Sequence, residues 1–265
     1  MNRIEKRFID LRANGQKGFV AYIGAGDPNL AATEALAIAL DEAGVDVLEL
    51  GVPFSDPLAD GLVNQLAAQR GLASGTTPEV VLKTVAAIRE KTEVPIVLYI
   101  YFNLLHRRGL QAFIKDAVAA GVDGLLALDL PPEEADEYEA MMNAAGLCSI
   151  WLVAPTTPPD RIADITSRGS GFIYYISREG VTGMQQTVSD SIAERTGLIR
   201  DTTDLPIAVG FGISNPEQAR QVAASSDAIV VGSAIVNRVA ELGDAPDMPG
   251  KVAEYVRGLV EAIRD

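Results

Sequence analysis

Cysteine and histidine are almost missing: in 265 residues the chain holds one of each, Cys148 and His106. A lone cysteine excludes an internal disulfide and any cysteine-rich metal centre. With a single histidine beside it, a transition-metal site or a histidine-based triad finds too few groups, and no metal is expected. Cys148 is expected in the core and His106, opening a helix beside Arg107 and Arg108, on the surface. Lysine is scarce as well. Lys6, Lys17, Lys83, Lys91, Lys115 and Lys251 all fall away from the ends of predicted strands, which argues against a Schiff-base aldolase or a lysine-dependent phosphate enzyme. No apolar run approaches the ~20 residues that span a membrane. The opening Met1-Asn2-Arg3-Ile4-Glu5-Lys6-Arg7 mixes charges without the apolar stretch of a signal peptide, so cytoplasm is the expected compartment. Positive charge is outnumbered, 22 basic against 36 acidic residues, and the net −14 argues against nucleic acid or an anionic membrane as partner. A phosphorylated small molecule stays open, because backbone amides can hold phosphate inside an acidic protein.

What is present is alternation. Short apolar runs at 19–23, 45–50, 95–101, 122–128, 149–154, 172–176, 207–211 and 228–231 read as strands. Helical patterns fill the intervals, near 30–43, 62–73, 78–91, 108–120, 133–145, 159–168, 189–199, 215–224 and 234–241, with a last one at 250–264. Stops such as Ala43-Gly44, Ala120-Gly121 and Ala145-Gly146 punctuate them. Eight such repeats in about 250 residues fit a (β/α)₈ TIM barrel, with an extra N-terminal helix over 4–14. No linker or composition break divides the chain, so residues 1–265 are expected to form one catalytic domain. An open doubly wound sheet is the alternative, but Gly24-Ala25-Gly26-Asp27-Pro28 lacks the third glycine of a dinucleotide turn.

The stretch 46–61 draws the chemistry together. Alternation puts Val47 and Glu49 on one face of its strand and Leu48 and Leu50 on the other. With the second face against helices, Glu49 points into the barrel, where burial raises a carboxyl pKa toward neutrality and suits it to acid/base work. The following loop carries Pro53 and Pro57, each fixing φ, and two further acids. Asp56 precedes Pro57 and can simply shape a turn; Asp60, before Gly61 and a helical run, can cap that helix; Asp129, before Pro131-Pro132, can be a turn residue. In a barrel the strand ends feed the active-site loops. Gly210-Phe211-Gly212-Ile213-Ser214 and Gly232-Ser233 follow the last two predicted strands, the usual place for a phosphate, with helix-start N–H groups to receive it.

Residues 48–61, then Ser177-Arg178-Glu179-Gly180-Val181-Thr182-Gly183, 210–214 and Gly232-Ser233 together resemble the tryptophan synthase alpha subunit family, and the likeness runs from the first helix to the last. It implies reversible retro-aldol cleavage of indole-3-glycerol phosphate to indole and glyceraldehyde 3-phosphate. Position by position, Glu49 matches the acid/base and Asp60 the carboxylate beside the indole nitrogen. Thr182 matches the loop that closes over Asp60. Gly183, Phe211, Gly212, Gly232 and Ser233 match phosphate-binding positions. Tyr22, Tyr101, Leu126 and Tyr174 match residues that line the indole pocket or support the glutamate. The likeness implies no cofactor in this chain, and a beta subunit partner that carries pyridoxal phosphate, joined in an alpha2beta2 complex. A self-sufficient indole-releasing lyase and an allosteric activator of the partner fit the same residues. The chain departs from the family pattern at three places: Leu62 replaces a proline, Asn64 an isoleucine and Tyr99 a leucine.

Overall fold

The computed structural model describes residues 1–176 and 185–264, and of residues 185–190 the backbone alone. All strand pairings are parallel. The strands are β1 (Gly18–Gly24), β2 (Val47–Gly51), β3 (Ile96–Ile100), β4 (Gly124–Ala127), β5 (Cys148–Ser149), β6 (Trp151–Val153), β7 (Ile173–Ile176), β8 (Ile207–Gly210) and β9 (Ala228–Val231). Their order in the sheet is β5-β4-β3-β2-β1-β9-β8-β7-β6. The two outermost, β5 and β6, are halves of one extended stretch interrupted at Ile150, whose N–H still donates to the Leu125 carbonyl at 2.9 Å. A sheet whose two ends are the same piece of chain is closed. The expected fifth strand is therefore β5 plus β6, and the barrel replaces the open doubly wound alternative.

Helices α1 (Arg3–Ala13), α2 (Leu30–Glu42), α3 (Leu62–Ala73), α4 (Pro78–Arg89), α5 (Phe102–Arg108), α6 (Leu110–Ala120), α7 (Asp136–Ala145), α8 (Pro159–Arg168), α9 (Gln185–Arg200), α10 (Pro216–Ala224), α11 (Ser233–Leu242) and α12 (Met248–Arg264) accompany the strands. The helix expected over 108–120 is α6, and α5 before it was not expected. Gly109 takes φ +88°, a conformation that favours glycine, and divides α5 from α6. His106 consequently lies in the last turn of α5 instead of opening a helix, and it is exposed.

Period-two alternation sorts the side chains into two layers. Phe19, Leu48, Leu50, Ile96 and Leu98 face the helices. Val20, Val47, Val97, Leu126, Cys148, Phe172, Ala208 and Val230 face inward. Ile4, Phe8 and Leu11 of α1 join this inner cluster, with Phe8 against Phe172 at 5.5 Å between ring centres, so the extra N-terminal helix plugs the barrel floor. Cys148 is buried there as expected, its thiol pushed up to about 12 by burial.

The floor is fastened by a device used three times. Asp46, Asp123 and Asp227 each stand just before a strand, and each accepts an N–H from the first or second residue of the neighbouring strand: Phe19 at 2.7 Å, Ile96 at 2.8 Å and Ile207 at 2.9 Å. Each also takes an arginine. Asp46 receives Arg7 of α1 at 2.7 Å and Arg264 of α12 at 2.9 Å, which ties both ends of the chain to β2. The repeated tetrapeptide Ala-Gly-Val-Asp, at 43–46 and 120–123, is the sequence trace of two of the three. Replacing Asp46 with alanine orphans the Phe19 N–H and frees two guanidinium groups. The expected cost is about 3 kcal/mol, read as a lower midpoint in urea unfolding, with catalysis at the far end of the barrel preserved.

Candidate active site

Glu49 lies on β2, inside the barrel as the alternation predicts, with 1% of its surface exposed. Across the ladder it faces Tyr22 of β1 on one side and Val97 of β3 on the other. Its Oε1 is buried without a hydrogen-bond partner. Burial, and secondarily the negative charge of Asp60, raises its pKa to about 8. The Tyr22 ring fits beside it because residue 51 is glycine: a Cβ there would overlap the Tyr22 hydroxyl. Burial first, and then the Asp60 and Glu49 charges, push that hydroxyl well above its ordinary pKa.

Asp60 is not the helix cap that its position allowed. The N-cap of α3 is Gly61, which supplies no side-chain bond. The Asp60 carboxylate turns instead to the end of β3. Its Oδ1 accepts from the Tyr99 hydroxyl and its Oδ2 from the Tyr101 hydroxyl, both at 2.8 Å. The Tyr101 hydroxyl also accepts the Ala59 N–H at 3.0 Å, so one side chain fixes both the carboxylate and its loop. The other two acids resolve as structural. Asp56 is exposed and accepts from Ser55 Oγ at 2.6 Å, while Asp129 receives the Phe102 N–H at 2.6 Å and caps α5.

Of the predicted phosphate positions, Phe211, Gly212, Gly232 and Ser233 lie at the ends of β8 and β9. Gly210 pairs with Val230, so Gly212 and Gly232 both lie two residues beyond the matched pair. Gly212 holds φ +58° with open space where a Cβ would stand. Gly232 is the N-cap of α11; its carbonyl accepts the Ile235 and Val236 N–H groups, while those of Ser233 and Ala234 have no partner within their helix. Phe211 packs its side chain in the layer between barrel and helices. Three residues that the sequence did not single out brace this loop. Gln218 Oε1 accepts from the Ser214 N–H at 2.9 Å, and the Tyr255 hydroxyl donates to the Ser214 carbonyl at 2.9 Å. The Arg238 guanidinium sits 3.6 Å over the Tyr255 ring. The Gln218 contact is local to the start of α10, but the Tyr255 contact spans 41 residues and no local pattern announces it.

One continuous arc results. β9 lies beside β1 and β1 beside β2, and Tyr22 stands between Gly232 and Glu49. Two strand spacings put about 10 Å between the Glu49 and Gly232 backbones, a span that one phosphate-bearing aromatic can bridge. Leu126, fully buried, is matched with Tyr99 across β3 and β4. Tyr174 points inward from β7, and residue 210 is glycine where a Cβ would crowd its ring. Burial, followed by the Glu49 and Asp60 charges, raises the Tyr174 pKa. Thr182 and Gly183 lie outside the described residues. Among the described residues, no group of three or more His, Cys, Asp and Glu is placed to hold a metal ion, and no helix is long and apolar enough to cross a membrane.

The sign of the Glu49 shift sets a stability test. Between the ordinary glutamate pKa and about 8, the native state keeps a proton that the unfolded chain has lost. Stability therefore falls through that window as pH rises. Glu49→Gln should raise Tm more at pH 8 than at pH 5. Equal increments at both pH values would contradict the buried, proton-holding state.

Comparison with known proteins gives a single answer. The sequence profile of the tryptophan synthase alpha chain matches residues 8–264. The tryptophan synthase alpha chain of Opitutus terrae is 54% identical over 265 residues, covering 100% of both chains. That of Geobacter sulfurreducens is 49% identical over 263 residues, covering 99% of each. Among solved structures, the tryptophan synthase alpha subunit of Legionella pneumophila superposes with a TM-score of 0.92 at 38% identity, covering 99% of this chain and 98% of that one. A chain of M. tuberculosis tryptophan synthase in its aminoacrylate-bound form gives 0.89 at 32% identity, with 100% of both covered.

Proposed function

The chain belongs to the tryptophan synthase alpha chain family and cleaves indole-3-glycerol phosphate in tryptophan biosynthesis; from that premise we propose that Glu49 and Asp60 carry the reaction on a single catalytic barrel. The observation that carries this reading is the buried Glu49 carboxyl, one oxygen unpartnered, beside a fixed carboxylate and within reach of an anion cradle. With a pKa near 8, Glu49 begins protonated at neutral pH. It gives that proton to indole C3, and the ring becomes an indoleninium cation. The carboxylate so formed takes the proton of the side-chain hydroxyl next to C3. The bond from C3 to the side chain breaks, its electron pair returns to the ring, and the hydroxyl carbon becomes the aldehyde. Glu49 ends protonated, as it began, and the cycle closes without a cofactor in this chain. Asp60, anionic and near the ring N–H, stabilises the cation by a charge-assisted hydrogen bond. Gly212, Gly232 and Ser233, with the Phe211 backbone, hold the phosphate through N–H groups and the α11 dipole.

Glu49→Gln keeps the shape and removes the transferable proton. Indole release should fall about 10²–10⁴-fold, the usual worth of a positioned acid/base. Near-normal turnover of that variant would overturn the assignment.

The partner reading rests on a different surface. Leu58 is 92% exposed, Leu62 69% and Leu66 43%, all on the Asp60 loop or the first turns of α3. Apolar side chains gathered on a catalytic loop suit a protein partner. We place the pyridoxal-phosphate-carrying beta subunit there, in an alpha2beta2 complex, so that docking would set the loop that carries Asp60. Leu62→Glu should weaken association with the beta subunit at least tenfold in sedimentation or calorimetry. An unchanged affinity would move the interface elsewhere.

A further inference from the structure

Asp60 stands at the end of a loop whose own backbone does little to orient a carboxylate. The next residue is glycine, and α3 starts without a side-chain cap. A carboxylate so placed would ordinarily move among rotamers. Here three donors converge on it: Tyr99 Oη on Oδ1 and Tyr101 Oη on Oδ2, each at 2.8 Å, with Asn64 Nδ2 at 3.5 Å from Oδ1 as a weaker third. Tyr99 ends β3's inward row and Tyr101 lies two residues on, so both leave the strand toward the same side. Each ring is itself braced. Tyr22 meets Tyr99 edge-on at 5.0 Å and 72°, and Phe54 lies 5.0 Å from Tyr101. A carboxylate offers about four lone-pair directions. Two phenols can therefore fix its plane and still leave room for a ring N–H from the substrate.

The two tyrosines differ in what else they hold. Tyr101 also secures the loop backbone through Ala59, while the Tyr99 hydroxyl has Asp60 as its described partner. We propose that Tyr99 is a positioning residue for the cleavage reaction, holding the Asp60 carboxylate in its working orientation before substrate arrives. This rests on the reading of Asp60 as the partner of the ring nitrogen. Because the tyrosine acts on a group that matters as positive charge develops, its loss falls on the transition state and spares phosphate binding.

Tyr99→Phe keeps the braced ring and deletes only the donor. The expected result is a kcat about tenfold lower with KM within twofold. A lower kcat accompanied by an equal rise in KM, or no change in either, overturns the proposal. A second readout does not need turnover. Amide hydrogen exchange over residues 58–65 should quicken in Tyr99→Phe, while strands β7 to β9 keep their parent rates. In an Asp60→Ala background, which has no carboxylate left to hold, the same Tyr99 change should add nothing. An equal acceleration there would show that Tyr99 acts on the barrel and not through Asp60, and the proposal fails. If the parent released no indole while this exchange coupling held, the catalytic reading of Asp60 would fail and the Tyr99 contact would stand.

Discussion

Taking one carboxyl group out of water is the constraint on which the site depends. In solution a glutamic acid is ionised at neutral pH and is a poor donor to carbon. Inside the barrel, at 1% exposure, the charged form loses its hydration and the proton stays. The Asp60 charge adds to the same effect. Unlike most buried polar atoms, Oε1 of Glu49 has no partner, a condition that costs stability and persists only where the surrounding fold is strong enough to impose it. The strength comes from the other end of the barrel. Val47, two residues earlier on the same strand, packs into the inner cluster that α1 plugs, and Asp46 just before it ties both chain termini to β2. The strand is held at its foot so that a costly group can be presented at its tip.

Much of this could be read from the chain because it follows local periodicity. Alternation over 47–50 was enough to send Glu49 inward, and the spacing of apolar runs was enough to give the barrel. The placement of Gly212 and Gly232 after adjacent strands also needs nothing beyond strand order. Three things resisted. Ile150 interrupts the fifth strand with no proline or glycine to signal it. Helix α5 went unread, because its 7 residues directly after β3 are too few to display an apolar period. Asp60 looked equally suited to capping a helix, and what decides the matter is a pair of hydroxyls 39 and 41 residues further on. Tyr99 drew notice in the sequence only as a departure from the family pattern. Its meaning is a contact across the barrel mouth, and such contacts follow from tertiary geometry alone.

The glycines near the mouth show how backbone and chemistry are linked. Gly51 and Gly210 are needed less for their own dihedral freedom than for the rings they admit: Tyr22 beside the first and Tyr174 beside the second. Those rings wall the glutamate with apolar surface and exclude water from it. Adding one methyl group at either glycine would displace a tyrosine, and with it the dielectric environment that keeps the Glu49 proton in place. Glycine at these strand ends thus tunes an acid two residues or several strands away, without touching it.

Electrostatics complete the picture through a division by distance. The chain carries a net charge of −14, yet its substrate brings a phosphate of the same sign. Over more than about 8 Å of physiological salt, the general repulsion is screened and costs little. At contact range only local groups count, and there the proposed cradle offers backbone N–H donors and the positive end of α11. Such donors are fixed by the fold. They need no lysine, and they leave the Glu49 carboxyl undisturbed. A cationic side chain in place of Gly212 or Gly232 would draw the phosphate more strongly, but about 10 Å from Glu49 in a poorly screened interior it would also lower that carboxyl's pKa. In the proposed cradle, binding the anion through amide dipoles would let the barrel keep an acid and an acceptor site in the same mouth.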